Sequence, residues 1–323
     1  MFKNNNLAYV TVIIPCRNEE KFIGKCLDSI IANDYPEERL EALVVDGMSE
    51  DETKEIIKKY TNKHSFLRLL ENPKKITPAA MNIGIKNAKG NVIIKMDAHS
   101  LYPKDYISKC VEYLERSGVD NIGGVLKTIP FKNTIVAKAI AISFSHIFGA
   151  GGSYFRTGSK ESREVDTVAF GCYWKKTFEK IGLYNEKMAK IEDLELNYRL
   201  RKAGGKIMLF PDIMAYYYPS SENFKDFFLH NFTDGIWSTY PLKYGFKVSL
   251  RHYLPLIFIL TLPLSVWPYL LLSLFFSLQI ATKEKAFRLF FLIPLVFAVR
   301  HFGYGIGSIL GIMKLLFPSK VTS

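Results

Sequence analysis

Residues 9–15 read YVTVIIP, a short apolar run rich in β-branched side chains. Such a run is typical of a strand buried in a parallel sheet. Three further strands are predicted at 40–46 (LEALVVD), 66–70 (FLRLL) and 91–96 (NVIIKM). The spacing of apolar residues between the strands predicts helices over 18–33, 49–60 and 77–88. This βαβαβαβ alternation predicts an α/β fold with a mainly parallel sheet and helices on both of its faces.

Three of the predicted strands end in polar residues, at 15–19, 46–51 and 97–99. Ligands of such sheets bind beyond the carboxyl ends of the strands. One polar loop there is ordinary solvated chain, whereas three with clustered acids favour a binding site. A charged amphipathic helix is predicted further along the chain, at 190–203, and it is followed by a short strand at 206–210.

The C-terminal part has the composition of a membrane anchor. Residues 254–281 carry no charged side chain, and 289–299 form a second uncharged run. Because a bilayer core needs about 20 mainly apolar residues per helix, we expect an anchor over 241–323 with two hydrophobic helical segments, 254–281 and 289–312. Whether these segments span the bilayer or re-enter it stays open. Residues 133–150 form either a core helix or, as we prefer, a helix lying in the membrane interface.

The net charge of +12 is not concentrated in one dense basic arm. Several basic residues instead flank the apolar segments: Lys243, Lys247, Arg251, Lys283, Lys285 and Arg288. Anionic lipid and a cytoplasmic orientation favour this arrangement. We therefore expect contact with membrane lipids, no nucleic-acid partner, and a domain over 1–240 that faces the cytoplasm from the cytoplasmic membrane. The four cysteines form no CxxC pair, which fits a reducing compartment.

Acidic residues are the first candidates for chemistry. Asp97 and His99 follow a hydrophobic strand, where a divalent cation could neutralise a nucleotide diphosphate. Carboxylate ligands suit Mg²⁺ or Mn²⁺, and the imidazole favours Mn²⁺. Asp46 ends another strand and can bind a nucleotide. Residues 191–196 (IEDLEL) begin the charged helix, where a carboxylate can deprotonate a sugar hydroxyl; a capped, solvated helix start fits this segment equally well.

Five blocks of the sequence together resemble the inverting family 2 glycosyltransferases. The blocks are VTVIIPCRNEE (10–20), VVDGMSEDET (44–53), NPKKITPAAMNIGIKNAKGNVIIKMDAHS (72–100), AFGCYWKKTFEKIGLYNE (169–186) and IEDLELNYRLRKAGGKI (191–207). The DAH motif and HFGYGIG (301–307) look most like the membrane-associated, succinoglycan-biosynthesis-type members. The resemblance implies a GT-A catalytic domain, Rossmann-like with a mainly parallel mixed sheet, followed by C-terminal membrane helices.

The resemblance also implies roles for individual residues. Those that would bind the nucleotide sugar are Pro15, Asn18, Glu19, Asp46, Asn82 and Asp97. The metal would be held by Asp97 and His99, with His99 in place of the family's usual carboxylate. Asp193 would be the catalytic base, and Glu192 would orient the acceptor or the helix.

The function implied is transfer of one sugar, with inversion, from a UDP- or GDP-sugar to a lipid-linked, polyprenyl-type acceptor in polysaccharide or glycan assembly. The Gln-x-x-Arg-Trp block of processive synthases is missing, since residues 230–237 read HNFTDGIW. Single addition is therefore favoured over polymerisation. Two alternatives remain: a synthase that loads a sugar onto polyprenyl phosphate, and a non-catalytic nucleotide-binding membrane scaffold.

Overall fold

The structure, a computed structural model, describes residues 7–221 and 223–317. These residues form two compact units. The sheet unit comprises residues 7–127 and 158–217, and the helical unit comprises 128–157, 218–221 and 223–317. The boundary that the sequence predicts at residue 240 stays a prediction, and the ends of the predicted domains, 1–6 and 318–323, lie outside the described residues.

Strands and helices follow one another along the chain in the predicted alternation. The strands are β1 Val10–Cys16, β2 Leu40–Asp46, β3 Leu67–Glu71, β4 Val92–Lys95, β5 Ser100–Leu101, β6 Asn121–Thr128, β7 Arg163–Glu164, β8 Ala169–Trp174 and β9 Ile207–Tyr217. The helices are α1 Ile23–Ile31, α2 Thr53–Thr61, α3 Thr77–Asn87, α4 Tyr106–Ser117, α5 Ile135–Ser145, α6 Ile147–Ala150, α7 Tyr154–Thr157, α8 Lys175–Ile181, α9 Glu192–Lys202, α10 Phe224–Trp237, α11 Tyr240–Tyr244, α12 Leu254–Leu260, α13 Leu262–Lys283 and α14 Arg288–Leu316.

The strands of the sheet unit form one mixed sheet, in the order β3-β2-β1-β4-β8-β6-β9-β5, with β7 paired to β9. Strands β3, β2, β1 and β4 run parallel, as the sequence predicts. The register sets Cys16 beside Asp46, so β1 and β2 end at the same edge. Strand β8 pairs antiparallel with β4 and with β6. The predicted α/β class is therefore confirmed, with an antiparallel half that the alternation did not reveal.

Apolar periodicity explains the parallel half. Strand β2 is buried along its whole length, as expected for a strand covered on both faces. Helix α1 buries Ile23, Cys26, Leu27 and Ile30, which recur at helical spacing. Helix α3 begins at Thr77 with a proline in its first turn, which suits the fixed φ of that residue.

The helical unit contains the long apolar helices. Helices α13 and α14 are long and apolar enough to cross a membrane. The predicted segment 254–281 is broken after Leu260, so that α12 and α13 are separate helices, whereas α14 covers the predicted segment 289–312 as one helix. Many apolar side chains of α13 are exposed, among them Leu264 and Trp267.

A polar pair interrupts the middle of α14. The guanidinium of Arg300 lies 4.8 Å from the ring centroid of Phe144. The two ring nitrogens of His301 each lie 2.9 Å from an oxygen, one from the backbone carbonyl of Phe148 and the other from the hydroxyl of Tyr269. The segment that the sequence predicts as interfacial, 133–150, thus supplies partners to this pair within the helical unit.

We predict opposite outcomes for alanine at two helical glycines of the sheet unit. A Cβ on Gly84 would lie 2.5 Å from Cγ2 of Ile13, so Gly84→Ala overpacks α3 against β1. We expect it to destabilise the protein by about 1–3 kcal/mol. A Cβ on Gly24 meets only ordinary contacts, the nearest at 3.6 Å, so Gly24→Ala should be neutral or slightly stabilising. Thermal unfolding of the purified protein checks both, and equal melting temperatures for the two variants would contradict the packing argument.

Candidate functional site

The loops after β1 and β2 interlock at the carboxyl edge of the sheet. Asn18 adopts a left-handed backbone conformation (φ 53°), which asparagine tolerates better than most residues. Its backbone N–H donates to Ser49 Oγ at 2.9 Å, and its Oδ1 accepts from the Glu50 N–H at 2.9 Å. Asp46 is fully buried and accepts from the hydroxyl of Ser49 at 2.5 Å. Asn18 and Asp46 therefore shape the loops, and Pro15 lies half-buried in β1 beside Val45.

Glu19, His99 and Asp97 come together at the same edge. His99 Nδ1 lies 2.9 Å from Glu19 Oε1, and His99 Nε2 lies 4.0 Å from Asp97 Oδ2. If Nδ1 donates its proton to Glu19, the lone pair of the imidazole sits on Nε2, the nitrogen that faces Asp97. A carboxylate that orients a histidine in this way is the usual outer partner of a metal-binding histidine.

The predicted acidic pair begins α9 and meets a lysine of β4. Lys95 Nζ lies 2.5 Å from Asp193 Oδ2 and 3.1 Å from Glu192 Oε1. The side chains of Lys95 and Glu192 are only 5% and 11% exposed, whereas that of Asp193 is 29% exposed. The hydroxyl of Tyr184 donates to Asp193 Oδ1 at 3.4 Å. Of the two acids, Asp193 is thus the one that a substrate can reach.

Burial and the neighbouring charges act in opposite directions on the pKa values of Lys95 and Glu192. Burial alone would lower the pKa of Lys95, but the carboxylates of Asp193, Glu192 and Asp97 outweigh burial and raise it. Burial raises the pKa of Glu192, and Lys95 opposes that effect. Burial also raises the pKa of Tyr184 far above its usual value, so this hydroxyl stays protonated and donates.

Asn82 has both ends of its amide engaged by the segment before α9. Its Oδ1 accepts from the Tyr184 N–H at 2.9 Å, and its Nδ2 donates to the Tyr184 carbonyl at 2.9 Å and to Glu186 at 3.1 Å. The side chain is buried. Asn82 therefore holds the backbone that carries Tyr184, the partner of Asp193.

Lys95 is the site residue that sequence reasoning missed. The signal was present, because a lysine inside the apolar run VIIK of a buried strand requires a carboxylate partner. Asp97 follows Lys95 by two residues, and its carboxylate lies close enough to favour the charged form of Lys95 and so raise its pKa. Tyr184 was missed as well, and nothing in its neighbourhood in sequence distinguishes it from a core tyrosine.

Comparison with known proteins places the chain in a family. A family model described as glycosyl transferase family 2 matches residues 11–178. The chain is 27% identical, over 95% of its length and 98% of the relative's, to the dolichyl N-acetyl-alpha-D-glucosaminyl phosphate 3-beta-D-2,3-diacetamido-2,3-dideoxy-beta-D-glucuronosyltransferase of Methanococcus voltae. It is 32% identical to the succinoglycan biosynthesis protein ExoA of Rhizobium meliloti, over 65% of this chain and 63% of that protein.

A solved structure shares the fold. The mannosyltransferase PcManGT from Pyrobaculum calidifontis, in complex with GDP-Man and Mn²⁺, matches 98% of this chain and 89% of its own with a TM-score of 0.61. The two chains are 19% identical, so the likeness shows the fold alone. The GT-A fold expected from the sequence is confirmed, as is the predicted resemblance to family 2.

We predict that Asn82 supports the site through structure and not by touching the donor. Asn82→Asp removes both Nδ2 hydrogen bonds and sets a second carboxylate beside Glu186. We expect a loss of stability of about 1–3 kcal/mol with donor affinity changed less than about threefold, a factor worth under 1 kcal/mol. Asn87→Asp is the matched control, because Asn87 bonds only the carbonyl of Ile83 on the exposed side of the same helix. Thermal unfolding measures the stability of both variants, and calorimetry measures their affinity for the donor. A large loss of donor affinity in Asn82→Asp at unchanged stability would assign Asn82 to the nucleotide pocket instead.

Proposed function

Because the chain belongs to glycosyl transferase family 2, we propose that it transfers one sugar, with inversion, from a UDP- or GDP-sugar to a lipid-linked acceptor at a membrane surface. The observation that supports this proposal is the contact of both acids of α9 with Lys95, the last residue of β4, two residues before Asp97. One partly exposed carboxylate and one candidate diphosphate site thereby lie close together in the sheet unit.

Asp193 acts as the general base in this proposal. Its carboxylate accepts the proton of an acceptor hydroxyl as that oxygen attacks the anomeric carbon of the donor. The bond from the acceptor oxygen to carbon forms while the bond from carbon to the diphosphate oxygen breaks, and the diphosphate leaves with the electron pair. Attack from the face opposite the leaving group inverts the anomeric centre. Glu192 lies behind Asp193, where it shares Lys95 and fixes the start of α9.

A divalent metal fits beside Asp97. Among the described residues no group of three or more His, Cys, Asp and Glu side chains is arranged to hold a metal ion. Two protein ligands suffice for Mg²⁺ or Mn²⁺ in nucleotide sites, since substrate phosphates and water complete the coordination. Asp97 and His99 are those ligands in our proposal, with Glu19 orienting the imidazole, and histidine favours Mn²⁺. When bound, the ion neutralises the charge of the departing diphosphate.

The nucleotide pocket follows from the interlocked loops. We assign the base and ribose to the edge formed by Pro15, Asn18, Glu19 and Asp46. Asp46 is fully buried, so in this proposal it does not contact the nucleotide from the surface. It supports the nucleotide pocket by holding the loop from Gly47 to Ser49 through its hydrogen bond with Ser49.

The membrane helices favour a lipid-linked acceptor. Helices α13 and α14 are long and apolar enough to cross a bilayer, and their adjoining ends carry the basic residues Lys283 and Arg288. An enzyme held at the bilayer meets lipid-linked substrates in two dimensions. The relative from Methanococcus voltae, similar over 95% of this chain, carries a dolichyl phosphate sugar in its name. We assign the catalytic domain to the cytoplasmic face because Lys243, Lys247 and Arg251 lie on its side of the first apolar helix.

A screen of nucleotide-sugar donors tests the proposed glycosyltransferase activity. UDP- and GDP-sugars are supplied with Mn²⁺ or Mg²⁺, and nucleoside diphosphate release and product are measured with polyprenyl-diphosphate sugar or with polyprenyl phosphate as acceptor. We expect transfer to the first acceptor. A product with one monophosphate-linked sugar would assign the chain as a polyprenyl-phosphate sugar synthase, and no hydrolysis or transfer from any donor would favour a scaffold.

In the same assay, Asp193→Asn should lower kcat by about 10²–10⁴-fold, the contribution expected of a general base. Donor affinity should stay close to wild type, because the amide keeps the size of the carboxylate. Asp212→Asn serves as the control, since Asp212 is an exposed acid that pairs with Tyr113 on another part of the sheet unit. Retained turnover in Asp193→Asn would remove Asp193 as the base.

The assignment of Asp97 and His99 as metal ligands predicts a loss of metal-dependent donor binding in two variants. Asp97→Ala should weaken Mn²⁺-dependent binding of the donor and leave metal-independent binding of the nucleoside unchanged. Glu19→Gln should weaken the same metal-dependent binding by about 10–100-fold, the usual effect of losing an outer partner. Calorimetric titration with and without Mn²⁺ measures both, and an unchanged metal dependence in Asp97→Ala would exclude Asp97 as a ligand.

A further inference from the structure

Lys95 is a buried charge that the proposed mechanism leaves without a task. It lies in β4, whose residues are all buried, and its ammonium contacts only the two acids of α9 among the hydrogen bonds described. We propose that Lys95 is a positioning residue that holds the carboxylate of the proposed base, Asp193, in the orientation that faces the substrate. This inference rests on the proposed function, in which Asp193 accepts the proton.

Geometry supports this role first. The ammonium of lysine has three donors, and Lys95 directs two of them to neighbouring carboxylates in the first turn of one helix. The second oxygen of Asp193 accepts from Tyr184, whose backbone is held by Asn82. Both oxygens of Asp193 are therefore anchored from the side of the core. The exposed part of its carboxylate is left to face a substrate.

Charge gives the second support. The carboxylates of the consecutive residues Glu192 and Asp193 converge on one ammonium, that of Lys95. The groups that face Asp193 are Lys95, Glu192 and Tyr184, and only Lys95 among them is positive. At longer range Asp97 adds negative charge and Tyr173 is neutral. Lys95 thus supplies the attraction that draws both acids of α9 towards β4.

Position in the strand gives the third support. Lys95 is the last residue of β4, and Asp97 follows it two residues later in the chain. The acid at the proposed diphosphate site and the cation that holds the proposed base are therefore carried by the same piece of backbone. This connection sets the spacing between leaving group and base, and nothing else described in the sheet unit joins α9 to β4 by paired charges.

The test compares kcat with donor affinity in Lys95→Met, with the donor saturating for kcat. Without the ammonium, Oδ2 of Asp193 loses its hydrogen bond and the carboxylate is no longer held in place to accept the proton of the acceptor. We expect kcat to fall at least about tenfold, or 1.4 kcal/mol. Donor affinity by calorimetry should change less than about threefold, because Lys95 contacts the proposed base and not the donor.

Two further variants keep the test decisive if Lys95→Met folds poorly. Lys95→Arg keeps a cation that can donate to both carboxylates and should recover much of the kcat that Lys95→Met loses. The double variant Lys95→Met with Glu192→Gln removes one charge of each sign, so its melting temperature should recover while its kcat stays low. Lys109→Met is the matched control, because Lys109 loses an ion pair with Asp105 in α4, away from the site.

The outcomes separate this inference from the proposed function. If Asp193→Asn is inactive but Lys95→Met keeps the wild-type kcat, the role of Lys95 is wrong and the base assignment stands. If Asp193→Asn retains its turnover, the base assignment itself is wrong. A large loss of donor affinity in Lys95→Met at unchanged kcat would make Lys95 a donor-binding group and would also overturn the inference.

Discussion

A charge inside a hydrophobic strand must be paired, and the pairing of Lys95 organises the sheet unit. Leaving one buried partner alone would cost about 3–5 kcal/mol, whereas the intact cluster contributes little net stability compared with apolar side chains. Stability alone is thus a weak reason for this cluster. The cluster fixes the position of α9. Because Glu192 and Asp193 pair with Lys95 at the end of β4, the first turn of α9 lies at the edge where the parallel strands end.

The sequence predicted the parallel half of the sheet well because its signal is local. Each strand from β1 to β4 is a short apolar run, and each intervening helix shows an apolar face within its own length. The antiparallel half lacks such signals. Strand β9 covers Ile207–Tyr217, far longer than the predicted 206–210, and β8 contains Phe170 in a left-handed conformation that no propensity favours. Pairing of β8 with β4 and β6 depends on contacts between distant residues.

The candidate site divides in the same way. Strand ends are predictable, so Glu19, Asp97 and His99 were expected near one another, and the structure places Glu19 and His99 in contact. The hydrogen-bond partners of each polar side chain are less predictable, because the residue type alone does not determine which neighbour it will bond. Asn82 was expected to face the nucleotide, yet its amide holds the chain at Tyr184. Lys95 was treated as part of the apolar run 91–96, although a charged residue in a buried strand indicates a partner of opposite charge.

The requirement that buried polar groups have partners also applies in the helical unit. Arg300 and His301 interrupt α14 in the middle of a helix long enough to cross a bilayer, where polar groups require partners. The partners come from Phe144 and Phe148, residues more than a hundred positions earlier that lie between β6 and β7. The chain therefore leaves the sheet unit for residues 128–157, which pack with the C-terminal helices, before it returns to complete the sheet. A hydrophobicity plot cannot reveal this excursion, because it reports the apolar length of α14 and not which distant segment packs on that helix. Ile140 and Phe144 share an apolar cluster with Val296 and Phe297, beside the contacts that the polar pair makes.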